Sequence, residues 1–196
     1  PRPEWPIGDT ISDLLKLRDI GKIRYIGVSN FTAKQHLDAS VYGSIHSSQP
    51  QYNMLYRKAE EDVLPTCLKM DIGVIAHSPL ARGLLTGKYR PGHHFGEDDK
   101  RSEYSVFKQS HFEAAYPYVE KLQQWASDHG RDIVQLAIAW TLAHPAVRSS
   151  IVGAKTPEQA EHNAVAGEWT LSSEELTELR TILEGAEFNS ATSVQA

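Results

Sequence analysis

The chain has 196 residues, 40% of them hydrophobic and 23% charged, which suits one ordinary domain and leaves no apolar run near the roughly 18 residues a membrane-spanning helix needs. Against 25 acidic residues stand 20 basic ones, a formal charge of -5 with no polybasic block to neutralise a row of phosphates, which argues against nucleic acid as a partner. The single cysteine, Cys67, excludes an internal disulfide and a multi-cysteine zinc cluster and fits a reducing compartment, so a cytoplasmic location is expected.

Residues 1–6 are Pro-rich, lack the basic and apolar regions of a secretion signal, and read as a loop. Ile11, Leu14, Leu15 and Arg18 then recur at helical spacing behind Asp9 or Thr10, predicting a helix over 10–20 that Gly21 ends. The β-branched and aromatic run 23–28 predicts a strand that gives way to the polar pair Ser29 and Asn30. A short helix over 32–39 has Thr32 as its N-cap, and a second strand over 45–52 is interrupted by Pro50. The pattern repeats: an amphipathic helix over 60–70 carries Val63, Leu64, Cys67 and Leu68 on one face, and 72–76 is the most apolar strand candidate.

A long stretch over about 79–110, rich in Gly and in charges of both signs, follows; a loop of that length in a small domain is a functional lid or a disordered insert. Two helices over 112–129 and 132–143 are separated by Gly130, and Trp125 and Trp140 read as core on their faces. A fourth strand over 149–152 leads into Gly153, then Thr156 as N-cap with Pro157 at the first helical position and Gln159 three residues after the cap. A last helix opens at Ser172 and runs to about 183; 186–196 reads as a flexible tail.

Strands alternating with helices argue a parallel sheet covered by helices. Four strands make either a small open sheet or part of a barrel, and the series begins on a helix as though entered halfway. In such sheets ligands bind beyond the carboxyl ends of the strands, which singles out Ser29 and Asn30, the segment 49–53, the segment 77–80, and Gly153 to Thr156. The amides and hydroxyls at the first two places suit a planar carboxamide or a sugar, or serve only as turn formers. A Gly followed by a helix N-terminus with Lys155 beside it suits a phosphate, or is an ordinary turn with a surface lysine. His93 and His94 have no complementary ligand spacing and do not argue a metal. Ser78 and His77, as neighbours on a strand, are expected to face opposite ways and so to form no nucleophilic pair. The chain lacks a hydrolase elbow, a Gly-rich dinucleotide fingerprint and a P-loop.

Four ordered motifs resemble the aldo-keto reductases: 21–31, ending Gly27-Val28-Ser29-Asn30-Phe31; Gln49-Pro50-Gln51-Tyr52-Asn53; 78–89, beginning Ser78-Pro79-Leu80-Ala81-Arg82-Gly83; and 151–159, with Gly153-Ala154-Lys155-Thr156-Pro157. The Gly-Leu-Leu-Thr-Gly-Lys segment is similar to the general-stress and potassium-channel β-subunit-like branch. The resemblance implies an α/β fold, the (β/α)8 TIM barrel, of which 1–185 would be the C-terminal half, strands five to eight, with a cofactor loop at about 79–110. It implies NADP(H) as cofactor and reduction of an aldehyde or ketone to an alcohol. Ser29, Asn30 and Gln49 would hold the nicotinamide carboxamide; Ser78, Leu80, Arg82, Gly83, Leu84 and Leu85 would line or cover the pyrophosphate. Lys155 and Thr156, after Gly153, would take the adenosine 2'-phosphate, with Gln159 and Asn163 near phosphate and adenine.

Two positions depart from the family pattern: His77 stands where a stacking aromatic is common, and His162 where many members have an acidic residue. The family's catalytic Asp, Tyr, Lys and His belong to its first four strands and match nothing in this chain, so no catalytic residue is assigned to it. The resemblance therefore implies an NADPH-dependent reductase whose cofactor half is this chain, completed by an N-terminal half or a homo-oligomer partner. The alternative is a non-catalytic NADP(H)-binding or half-barrel assembly module.

Overall fold

The computed structural model describes residues 1–2, 4–96 and 98–186. Helix α1, Ile7–Asp19, starts ahead of the predicted Asp9 or Thr10 cap, because Thr10 bonds backward through both its amide and its hydroxyl to the Pro6 carbonyl instead of capping. It closes as predicted at Gly21, whose φ of 74° lets Gly21 N–H reach Arg18 O and Lys22 N–H reach Leu17 O. Strand β1 is only Gly27–Ser29 and β2 only Ser47–Gln49, both shorter than their predicted runs. Between them lies α2, Ala33–Ser40, where Thr32 and Gln35 form the reciprocal capping box.

The predicted helix over 60–70 resolves into a 3-10 turn, Lys58–Glu60, and α3, Val63–Lys69; Pro65 fits its first turn, where an N–H has no helical partner to lose. Strand β3, Gly73–His77, buries Val74 and Ala76 and leaves Ile75 and His77 partly open, so its apolar run alternates rather than being covered on both faces. Helices α4, Gln109–Asp128, and α5, Ile133–Ala143, follow, α5 held at its start by Asp132, which accepts from the Val134 and Gln135 amides. Trp125 and Trp140 are both buried. Strand β4, Val147–Ile151, then α6, Pro157–Val165, and α7, Ser173–Ile182, complete the series; Thr156 and Ser172 are their N-caps. No described helix is long and apolar enough to cross a membrane.

The described strands form one parallel sheet in the order β1-β2-β3-β4, with Val28 beside Ser48, Ser48 beside Val74 and His77 beside Ile151. The face carrying Ser48, Val74 and Ala76 is closed by helices, and the core extends through Leu64, Leu136, Ala137 and Trp140. The opposite face, with Ser29, Gln49, His77 and Ile151, is the more open one. The stretch 79–110 is a built loop, with 3-10 turns at Ala81–Thr86, Lys100–Glu103 and Ser105–Phe107 and an aromatic core of Tyr89, Phe95 and Phe107. His93 packs on Tyr89 and Phe95.

The tail expected to be flexible from 186 begins with a buried residue: Ala186 is fully covered, and Arg57 Nη1 donates to its carbonyl at 3.3 Å. Residues 187–196 lie outside the described residues.

Candidate cofactor site at the strand ends

Because the four strands are parallel, Ser29, Asn30, Gln49, His77, Ser78 and the segment from Gly153 all emerge at one edge of the sheet. The first three strand ends are tied together. Ser29 Oγ and Asn30 N–H both donate to Gln49 O, at 3.1 Å each. Asn30 takes a left-handed φ of 55°, and its Oδ1 lies 3.0 Å from His77 Nε2.

The other ring nitrogen, His77 Nδ1, lies 3.1 Å from Ser78 Oγ, which corrects the expectation that these neighbours face apart. Strand alternation ends at His77; Ser78 adopts φ 57° and turns its hydroxyl back onto the preceding ring. That conformation is held from below by Asn53, fully buried, whose Nδ2 donates to Ser78 O at 3.0 Å while its Oδ1 accepts from the Leu55 and Tyr56 amides. The sequence places Asn53 in the strand-end segment 49–53 and in a motif, without this supporting role; the signal for that role is a polar residue between Tyr52 and Met54. Burial and the Arg82 guanidinium hold the His77 imidazole below its ordinary pKa, so it is neutral at pH 7.

Beyond Ser78 the backbone curls through left-handed φ at Ala81, Arg82 and Gly83. Leu84 and Leu85 have side chains buried in the core, so any contribution they make to a ligand is through their backbone. Leu80 is partly exposed, and the exposed Arg82 lays its guanidinium 3.9 Å over the Tyr104 ring.

The fourth strand end is different. Gly153, Lys155, Thr156 and Gln159 are exposed, and the space where a Cβ on Gly153 would lie is open. Thr156 Oγ1 accepts from Gln159 N–H at 3.3 Å, Gln159 Oε1 accepts from Lys155 N–H at 2.8 Å, and Asn163 Nδ2 donates to Gly153 O at 3.4 Å. Gln159 and Asn163, expected near phosphate and adenine, also brace the loop that presents Lys155. His162 pairs with Asp132 at the surface.

A cleft of about 590 Å³ opens beside Lys155, lined by Gly96, Asp98, Asp99, Lys100 and Arg101. Arg101 grips Asp99 through Nε at 2.8 and 2.9 Å and bonds the Tyr89 hydroxyl. The guanidinium, with Lys155 adding to the field, lowers the Asp99 carboxyl to about 2. These loop residues fall inside the stretch 79–110 expected as a functional or cofactor loop, but none of them is picked out individually by the sequence. Tyr52, by contrast, donates to Glu60 at 2.7 Å and is buried, which pushes its phenol far above the usual range and unsuits it to proton donation.

The donor set fits a dinucleotide. Amide and hydroxyl groups stand at one end, and a cation on a helix N-terminus with an open glycine backbone stands at the other.

The pattern of the Aldo/keto reductase family matches residues 1–184. Aldo-keto reductase YhdN of Bacillus subtilis (strain 168) is 36% identical over 185 residues, covering 94% of this chain and 56% of that protein. An NADH-specific methylglyoxal reductase of Escherichia coli (strain K12) is 32% identical over 186 residues, covering 93% and 55%. Among solved structures, the glycerol dehydrogenase AKR11B4 from Gluconobacter oxydans superposes with a TM-score of 0.87 at 32% identity, covering 95% of this chain and 57% of that one. The chain spans about half the length of the curated relatives it matches.

Proposed function

This chain belongs to the aldo/keto reductase family, and on that premise we propose that it is the cofactor-binding part of a carbonyl reductase that prefers NADPH. We read β1 to β4 as strands five to eight of a (β/α)8 barrel, its open sheet face meeting an N-terminal half or a second copy; likeness over about half of each relative supports this. In this reading Asn30, with its Oδ1 engaged by His77, turns its amide N–H groups toward the nicotinamide carboxamide, joined by Ser29 and Gln49. Ser78 and the curled segment from Leu80 to Leu85 lie along the pyrophosphate. A bound reduced nicotinamide supplies the hydride for an aldehyde or ketone. The chain's own residues bind and orient; a catalytic tetrad is expected outside it.

The observation that carries the preference for NADPH is Lys155, exposed at the N-terminus of α6 beside Thr156. There a 2'-phosphate meets a full positive charge and the positive end of a helix dipole. One relative is named as NADH-specific, so the test compares both cofactors. Titrating the protein with NADPH and NADH should show tighter NADPH binding, and Lys155→Ala should weaken NADPH by about 1.5–3 kcal/mol while changing NADH little. Equal weakening of both sinks the assignment of the 2'-phosphate. Turnover of an aldehyde by the chain joined to an N-terminal half that carries the tetrad separates the reductase from a binding module.

A further inference from the structure

His77 is placed to sense the charge of whatever Asn30 holds. Its Nε2 faces the Asn30 amide oxygen, which can only accept, so the neutral ring carries its proton on Nε2 and leaves Nδ1 to accept from the Ser78 hydroxyl. A second proton enters at Nδ1 without breaking the bond to Asn30: the Ser78 hydroxyl turns from donor to acceptor, and the cluster keeps its shape while gaining a unit of charge. On the neighbouring elements the groups at its level are uncharged, Ile151 on β4 and Gln51 after β2; Arg82 is the charged group among the described residues that bears on the ring.

Resting on the reading of this strand-end cluster as the nicotinamide site, we propose that His77 is a positioning residue that discriminates the oxidation state of the cofactor. An oxidised nicotinamide ring is a cation and a reduced one is neutral, and they share the same phosphates. A charged His77 beside Asn30 therefore opposes the oxidised form alone. Lowering the pH through the titration of His77 shifts the site toward the reduced cofactor and promotes release of the oxidised product. Changes in phosphate protonation act on both forms alike and cancel in the ratio of their affinities, and the constant charge of Arg82 offsets that ratio by the same amount at every pH.

The test is isothermal titration calorimetry of the protein with NADPH and with NADP+ between about pH 5 and pH 8. The expected result is a Kd ratio, oxidised over reduced, that rises about tenfold from the alkaline to the acid end, the equivalent of a one-unit difference in the His77 pKa between the two complexes. In His77→Gln, which keeps a donor for Asn30, and in His77→Phe, which keeps an aromatic ring, the ratio should be flat. A flat ratio in the unsubstituted protein, or a slope that survives in either variant, overturns the role of His77. Absence of binding by either cofactor at every pH overturns the nicotinamide reading itself, and this inference with it.

Discussion

At the ends of β1, β2 and β3 the candidate residues are bonded to one another across strands, with Gln49, His77 and Ser78 half-buried, Ser29 and Asn30 exposed, and Asn30 and Ser78 in left-handed backbone; beyond β4, Gly153, Lys155, Thr156 and Gln159 are all exposed, and the partners of Lys155 and Thr156 lie within one turn of the same helix. In the first region, orientation is set by a chain of contacts running Asn53, Ser78, His77, Asn30, so that each residue depends on a distant neighbour. In the second, charge and a helix N-terminus suffice, and the side chains have little to do with one another beyond Gln159 and Thr156. A dinucleotide needs both, because a neutral ring must be oriented by geometry, whereas a phosphate is held well by field alone.

The largest test of this contrast is Asn53→Ala. It leaves the buried Leu55 amide without its acceptor, while the Tyr56 amide keeps the residue-53 carbonyl and the Ser78 carbonyl keeps the Ala81 N–H, and should cost about 2 kcal/mol or more of stability, read from the urea midpoint. A loss no larger than that of a surface substitution would mean that the bonded region is not held from below. Next, Thr156→Ala removes the cap of α6 and should cost about 1 kcal/mol; a cost as large as that at Asn53 would erase the distinction between the regions.

A smaller effect separates the regions by salt. Raising ionic strength from about 0.05 to about 0.5 M should weaken 2',5'-ADP several-fold, since its proposed site is exposed charge, and leave reduced nicotinamide riboside, which carries no phosphate, almost unchanged. Equal sensitivity would place both fragments on the same kind of surface.

The smallest concerns acid. His77 and His144 are both held below their ordinary pKa, chiefly by burial, and His144 Nδ1 accepts the Ala146 N–H at 3.1 Å. The unfolded chain therefore takes up these protons first, and the contribution is complete above about pH 6.5 and declines as pH falls toward the folded-state values. Unfolding midpoints should fall from pH 7 to pH 5, less steeply in His144→Gln; an identical slope in that variant would remove His144 from the account.

The exposed region was the more legible in sequence, because its structure is local. Thr156, Pro157 and Gln159 form their cap within a few residues, and the same holds for Thr32 with Gln35, Asp132, and Ser172 with Glu175. The exception, Thr10, shows the limit of that logic, since its hydroxyl was satisfied from the other side by Pro6. Strand ends were less legible: a ladder stops where its neighbour stops, so 23–28 and 45–52 shrank to three residues each. For the same reason the meeting of His77 with Ser78 was missed, as it depends on β3 ending between them. The Arg101 grip on Asp99 rests on the folding of a loop whose charges have no periodicity to read.

Arg57 gives the far end of the chain a say in all this. Lying just after the turn that carries Asn53, its guanidinium donates to the carbonyls of Met54, Leu183 and Ala186. A protein shortened from its carboxyl end to residue 182 would leave that cation with one of its three acceptors, and the loss would be felt at the mouth of the sheet rather than at the cut. Anyone trimming this chain for crystals, or placing a tag against α7, should expect a change in ligand binding without having touched a ligand contact.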